Sequence, residues 1–138
     1  GPIKDSSGAS LGRHSGLASY TIGQRKGLGV SSEKPLYVIG MEPETNTLVV
    51  GDEKDVFCRG FTAGAVSWTV GPPAGPLKAF VRIRHRHAPA AAILTVLAGG
   101  EVSVSFDEPQ RAVTPGQAAV FYAEDEVLGG GTIARCTP

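Results

Sequence analysis

The sequence predicts a mainly β protein, in which a small β-rich domain precedes a C-terminal β-barrel of about six strands. Two observations support this fold class. The 138 residues include 19 glycines and 10 prolines, which punctuate the chain from end to end. Short runs of alternating or β-branched residues lie between them, and helical periodicity is almost absent. Many short strands joined by turns are therefore expected.

The first domain is predicted over residues 1–70. A hairpin is expected within "PIKDSSGASLG", because Asp5 to Gly8 supply turn-forming residues. A strand pair is expected within "PLYVIGMEPETNTLVVG", turning at residues 43–46, and a further strand within "FTAGAVSWTV". One helical turn is expected around residues 16–21.

Residues 71–76, "GPPAGP", are predicted to be the linker, since proline fixes φ and removes a backbone donor. The barrel is predicted over residues 77–138. Its strands are expected in "LKAFVRIRHRH", in a hairpin "ILTVLAGGEVSVSF" that turns at Gly99-Gly100, and in "AAVFY" and "GGTIA". "TPGQ" is expected to form a type II turn. Closing these strands into a barrel removes exposed edges.

Composition restricts the classes of function. Apolar residues make up 41% of the chain, which allows a packed core, and no apolar run approaches the roughly 20 residues of a membrane span. The 13 basic and 13 acidic residues cancel, but residues 58–100 contain five arginines and lysines and no acid. Residues 1–34 are also predominantly basic. This distribution permits contact with a polyanion without demanding it.

The sequence offers no evident catalytic or metal centre. Cys58 and Cys136 lie far apart and outside any CxxC spacing, so free thiols of a cytoplasmic protein are expected rather than a disulfide framework. Neither cysteine has a histidine nearby in sequence. His85 and His87 fall on one strand face, but no further ligand stands at metal-binding spacing. The residues alone therefore indicate a binding module.

Two segments are candidates for anion contact. In "GQRKGLG", Arg25 and Lys26 stand among glycines whose backbone can approach a phosphate closely, although the segment lacks the Gly-Lys-Ser/Thr ending of a Walker A loop. A solvated turn is the equal alternative. In "RIRHRH", Arg82, Arg84 and Arg86 are expected on one strand face and suit RNA phosphates. The alternative is a polar barrel exterior paired with acids from residues 101–108.

Seven blocks follow one another along the chain: "LGRHSGLASYTIGQRKGLGV", "PLYVIG", "NTLVVG", "VSW", "RIRHRH", "FDEPQRAVTPGQAAVFY" and "VLGGGTI". In this order they resemble the tRNA-specific 2-thiouridylases, the MnmA/TrmU family, also labelled tRNA (5-methylaminomethyl-2-thiouridylate)-methyltransferases. The resemblance spans essentially the whole chain.

The resemblance implies an enzyme that activates the wobble uridine of tRNA with ATP and takes sulfur from a cysteine persulfide. That chemistry belongs to an N-terminal PP-loop domain whose motif and catalytic cysteines do not occur here. The implied role of this chain is that of the central domain and the translation-factor-like barrel, without a cofactor of its own and inactive alone. The implied partners are tRNA, the N-terminal PP-loop domain and a sulfur-relay protein.

The resemblance also implies which residues contact tRNA or lie near the active site. The residues that match its motifs are His14, Gln24, Arg25, Lys26, Gln110, Arg111 and Gln117; Arg82, Arg84 and Arg86 match less strictly. For His14, a turn-stabilising role is the alternative. A second hypothesis makes the chain a structural module that only docks and organises the catalytic domain. A third, a self-contained methyltransferase, lacks the glycine-rich strand-to-helix turn that an S-adenosylmethionine site needs.

Overall fold

The first unit of the chain is a small mixed sheet. The computed structural model describes residues 1–85 and 87–138 and divides them into two units, Gly1–Phe57 and Cys58–Pro138. The strands of the first unit are β1 (Pro2–Asp5), β2 (Ser10–Arg13), β3 (Tyr37–Glu42) and β4 (Thr47–Gly51). They lie in the order β2-β1-β4-β3, with β1 parallel to β4 and the other neighbours antiparallel.

The core of this unit is aliphatic. Ile3, Val38, Leu48 and Val50 have no exposed surface. Leu28, from the connection between β2 and β3, joins this cluster and is 7% exposed. The burial of Leu28 therefore anchors the "GQRKGLG" segment to the sheet.

The second unit is a closed barrel. Its strands are β5 (Phe57–Trp68), β6 (Leu77–Arg82), β7 (Ala90–Val96), β8 (Val102–Arg111), β9 (Ala118–Ala123) and β10 (Glu126–Thr137). The order around the closed barrel is β10-β5-β8-β7-β6-β9, and β9 pairs with both β6 and β10. Alternating residues point inward, and Phe61, Leu94 and Phe121 are almost fully buried.

The predicted fold class is confirmed, and so are most of the predicted turns. The amide of Gly8 donates to the carbonyl of Asp5 in the first hairpin, and a short 3-10 helix covers Leu17–Ser19. Between β7 and β8 the amide of Gly100 donates to Leu97. The "TPGQ" turn is closed by the amide of Gln117, which donates to Thr114.

The domain boundary differs from the predicted one. The structure divides the chain between Phe57 and Cys58, whereas the sequence predicts a linker at residues 71–76. Those residues connect β5 to β6 inside the barrel. The strand "FTAGAVSWTV" belongs to β5, which pairs with β10 more than 60 positions later in the chain. Composition cannot reveal such a long-range pairing, and the proline-rich segment therefore marks a loop within the barrel.

The strand predicted over "LKAFVRIRHRH" is shorter than expected. Strand β6 ends at Arg82, because its pairing with β9 reaches only that residue. Arg84 begins a turn in which its carbonyl accepts from the amide of His87, and Arg84 and His85 are exposed. The prediction of three arginines on one strand face is therefore wrong for Arg84. Arg86 lies outside the described residues.

The expectation of free thiols is also wrong. Cys58 and Cys136, which are 78 positions apart in sequence, form a disulfide with Cα atoms 6.0 Å apart. Closure of the barrel pairs the strand that begins it with the strand that ends it, and so brings the two cysteines together. Within the described part of the chain, no helix is long and apolar enough to cross a membrane.

Candidate functional site

His14 is held by the fold of the first unit. Its imidazole Nδ1 accepts a hydrogen bond from the amide of Gly16 at 3.1 Å, which places the ring proton on Nε2. Nε2 then donates to the carbonyl oxygen of Asn46 at 2.7 Å. The ring is 7% exposed and meets Tyr20 edge-on, with centroids 5.7 Å apart. Both ring nitrogens therefore have partners within the protein.

Gln24 fastens the segment Gly23–Gly29, called here the glycine loop, to itself. Its side-chain carbonyl accepts from the amide of Thr21 at 3.0 Å, and its side-chain amide donates to the carbonyl of Lys26 at 2.8 Å. Its backbone pairs with Val38 of β3, which donates to the Gln24 carbonyl at 2.9 Å. Gln24 thus fixes the first half of the loop, through Lys26, to the preceding turn and to β3.

The glycine loop presents two cations to solvent. Arg25 and Lys26 are exposed, whereas Leu28 is buried two positions later. Gly27 and Gly29 have φ of 79° and 67°, a left-handed conformation that residues other than glycine rarely adopt. The next regular element is β3, so the loop does not open a helix as a Walker A loop does.

A concave surface follows the loop. It has a volume of about 580 Å³ and is lined by Arg25 and by residues 27–36. Arg25 and Lys34 supply positive charge, and Glu33 supplies one negative charge. The concavity has the polarity and the exposed backbone to accept a phosphate-bearing ligand.

On the barrel, Arg82 is positioned by an aromatic neighbour. Its guanidinium carbon lies 5.4 Å from the ring centroid of Tyr122 on β9, a cation–π contact. Arg82 points outward, since Val81 and Ile83 on either side are buried. Arg84 is exposed in the turn that follows β6.

The last three predicted residues lie where β8 leads into β9. The side chain of Gln110 donates to the carbonyl of Glu108 at 2.9 Å, and Arg111 is half-buried at the end of β8. The carbonyl of Gln117 accepts from the amide of Ile133 at 2.8 Å, which ties the turn to β10. Gln110 and Gln117 therefore also stabilise the connection between β8 and β9.

Among the described residues of the first unit, the predicted side chains have different partners. In the first unit, Gln24 and Lys26 share a hydrogen bond, while His14 is bonded to Asn46 instead. Sequence reasoning missed Tyr122, which holds Arg82. The signal that could have found it is the alternation in "AAVFY", where Ala119 and Phe121 face inward and Tyr122 outward.

Two sequence families match the two units. The family described as "tRNA methyl transferase PRC-barrel domain" matches residues 1–52, and that described as "Aminomethyltransferase beta-barrel domain" matches residues 58–133. Curated relatives named tRNA-specific 2-thiouridylase MnmA match both. This chain belongs to the 2-thiouridylase family.

Three of these relatives give the extent of the match. The protein of Solibacter usitatus is 52% identical over 137 residues, that of Moorella thermoacetica 49% over 134, and that of Pelobacter propionicus 48% over 133. Each comparison covers 96% of this chain but only 37–38% of the relative. The 2-thiouridylase-family chain therefore spans less than two fifths of the length of the curated relatives that it matches.

Proposed function

We propose that this chain is the part of a tRNA-uridine 2-sulfurtransferase that binds and positions tRNA. The observation that carries the proposal is the glycine loop. Gln24 and Leu28 are used to shape and anchor the loop, while Arg25 and Lys26 have exposed side chains. A rigid, glycine-containing loop that offers two cations suits the phosphates of an RNA backbone. Because the relatives are named tRNA-specific 2-thiouridylases, we propose that this RNA is tRNA.

The chemistry of thiolation is assigned to the remainder of the enzyme. ATP and the persulfide sulfur would be handled by a PP-loop domain, with a sulfur-relay protein as donor, in the cytoplasm. Cys58 and Cys136 are joined to each other and hold no reactive thiol in this state. This chain is accordingly proposed to have no turnover by itself.

The test is the affinity of the chain for unmodified tRNA as a function of salt, with a double variant Arg25→Ala and Lys26→Ala. Each lost phosphate contact should lower the slope of log K against log salt by about 0.7–0.9, because fewer counterions are released. A matched control removes two exposed charges elsewhere in the same unit, Arg13→Ala with Lys54→Ala. The control should leave both affinity and slope nearly unchanged.

The opposite result would support the docking hypothesis. If the Arg25 and Lys26 double variant binds tRNA like the control, the loop does not contact RNA. The docking hypothesis then expects the same substitutions in a full-length relative to abolish turnover while tRNA affinity is unchanged, because they disturb the catalytic domain. Salt-independent binding by the unaltered chain would contradict the proposed function altogether.

A further inference from the structure

A row of outward-facing side chains crosses four neighbouring strands of the barrel. Phe80 on β6 lies opposite Ala91 on β7 and opposite Tyr122 on β9. Tyr122 lies in turn opposite Val127 on β10. At the usual strand spacing the row, called here the aromatic row, is about 14 Å wide.

The aromatic row is unusually apolar for an exposed surface. Phe80 is 43% exposed and Val127 is 42% exposed, and Tyr122 is half-buried between them. The inward neighbours of these residues already fill the barrel core, so the row is not needed to close it. Exposed apolar side chains that stand together, rather than singly, offer a surface on which a ligand can pack.

The charges around the row are distributed unevenly. On one side of the row the guanidinium of Arg82 lies over Tyr122, and Arg84 is exposed beyond it. On the other side, Phe80 borders a hollow of about 380 Å³ that Lys78, Asp107 and Glu124 also line. Positive potential is therefore concentrated on the Arg82 side, and a polyanionic strand would place its phosphates there.

We propose that the aromatic row is a stacking platform for unpaired bases of RNA, with the adjoining phosphates held at Arg82 and Arg84. This inference rests on the proposed function and names the RNA element that the barrel takes. Bases splayed out of a loop stack on exposed aromatic rings and on arginine planes, whereas the faces of paired bases are hidden in a duplex. Phe80 supplies an exposed aromatic ring, and the adjacent Tyr122 and Arg82 supply a second ring and a guanidinium plane.

The experiment uses an RNA hairpin with 2-aminopurine in its loop and a second hairpin with the same label in its stem. Stacking on the platform changes the fluorescence of the loop label and leaves the stem label unaffected. The variants are Phe80→Ala and Tyr122→Ala. The matched control is Phe57→Ala, since Phe57 is 39% exposed and begins β5, which is three strands from β6 and two strands from β9 around the barrel.

Each platform variant should weaken binding of the loop-labelled hairpin by about 5- to 150-fold. Phe80→Ala should do so without changing the salt dependence, because stacking releases no counterions. Tyr122→Phe, which keeps the ring, should bind like the unaltered chain. Arg82→Ala should instead lower the salt slope. The melting transition followed by Trp68 fluorescence verifies that each variant is folded.

Two results would overturn the inference while leaving the proposed function intact. One is RNA binding by Phe80→Ala and Tyr122→Ala that equals that of Phe57→Ala. The other is that these two variants keep their affinity for RNA but no longer bind the N-terminal part of a relative. The aromatic row would then be a contact with protein. If the unaltered chain binds neither hairpin nor tRNA at low salt, the proposed function fails as well.

Discussion

Reduction of the Cys58–Cys136 disulfide is expected to destabilise the barrel strongly. The bond joins residues 78 positions apart, so it restricts almost the whole of the unfolded second unit. For a loop of this length the chain-entropy relation gives about 15 cal/mol/K, or about 4.5 kcal/mol at 25 °C, and disulfides typically deliver 2–4 kcal/mol. In a domain of this size each kcal/mol corresponds to about 4–8 °C in Tm. A fall in Tm of at least about 8 °C is therefore expected.

The sole tryptophan provides a selective assay for this prediction. Trp68 lies in the barrel, with its ring 5.7 Å from that of Phe121, so its fluorescence follows unfolding of the second unit. Thermal melting is measured with and without a phosphine reductant. Cys136→Ser serves as the control, because its melting should resemble that of the reduced protein and should not respond to reductant.

The reasoning would be refuted by equal Tm values for the oxidised and reduced protein, once thiol titration has shown that the two states differ. Two reactive thiols in the unreduced, denatured chain would contradict the bond itself. Either result would return the cysteines to the free thiols that the sequence predicts.

Three further predictions concern single residues. Gly60→Ala should destabilise the barrel by about 3 kcal/mol or more, because its methyl group would overlap a backbone carbonyl of β8. Gly64→Ala, on the same strand, places its methyl group in open space. In a denaturant titration it should lower the free energy of unfolding far less. Gln24→Ala should lower the stability of the first unit by about 1–2 kcal/mol, because it removes two side-chain hydrogen bonds. Hydrogen exchange of the glycine-loop amides should become faster, while the melting of the barrel followed by Trp68 fluorescence stays unchanged. Hydrogen bonds from the Ser7 hydroxyl and from backbone amides lower the pKa of Asp5 from 3.8. Its stabilisation is therefore complete above that pH and is lost as the pH falls through the folded-state pKa, so Asp5→Asn should flatten acid unfolding of the first unit.

Local patterns predicted the elements well because their causes are local. The turns at Gly8, Gly100 and Gly116 were predictable because each places glycine at a positive φ of about 90° that the turn requires. The residue types along β6 alternate as its two faces do, since Ala79 and Val81 lie in the interior and Phe80 is exposed. The family resemblance, carried by long ordered motifs, identified the chain without any knowledge of its packing.

The candidate site was predictable only in part. The sequence selected the glycine loop and Arg82, but it could not tell which motif residues face outward. His14 and Gln24 stand in the same motif as Arg25, yet their polar atoms are bonded within the fold. Tyr122 was missed because only the pairing of β9 with β6 places it opposite Phe80, a relation between residues 42 positions apart.

The sequence by itself determined the β class, most of the turns, the inward and outward faces of the strands and the family. Tertiary structure alone decided the unit boundary at Phe57, the end of β6 at Arg82, the disulfide and the aromatic row. The reason is the same in each case. Propensity and alternation act between residues close in sequence, whereas barrel closure joins strands that are far apart in the chain, and only the closed barrel brings Cys58 to Cys136 and Phe80 to Tyr122.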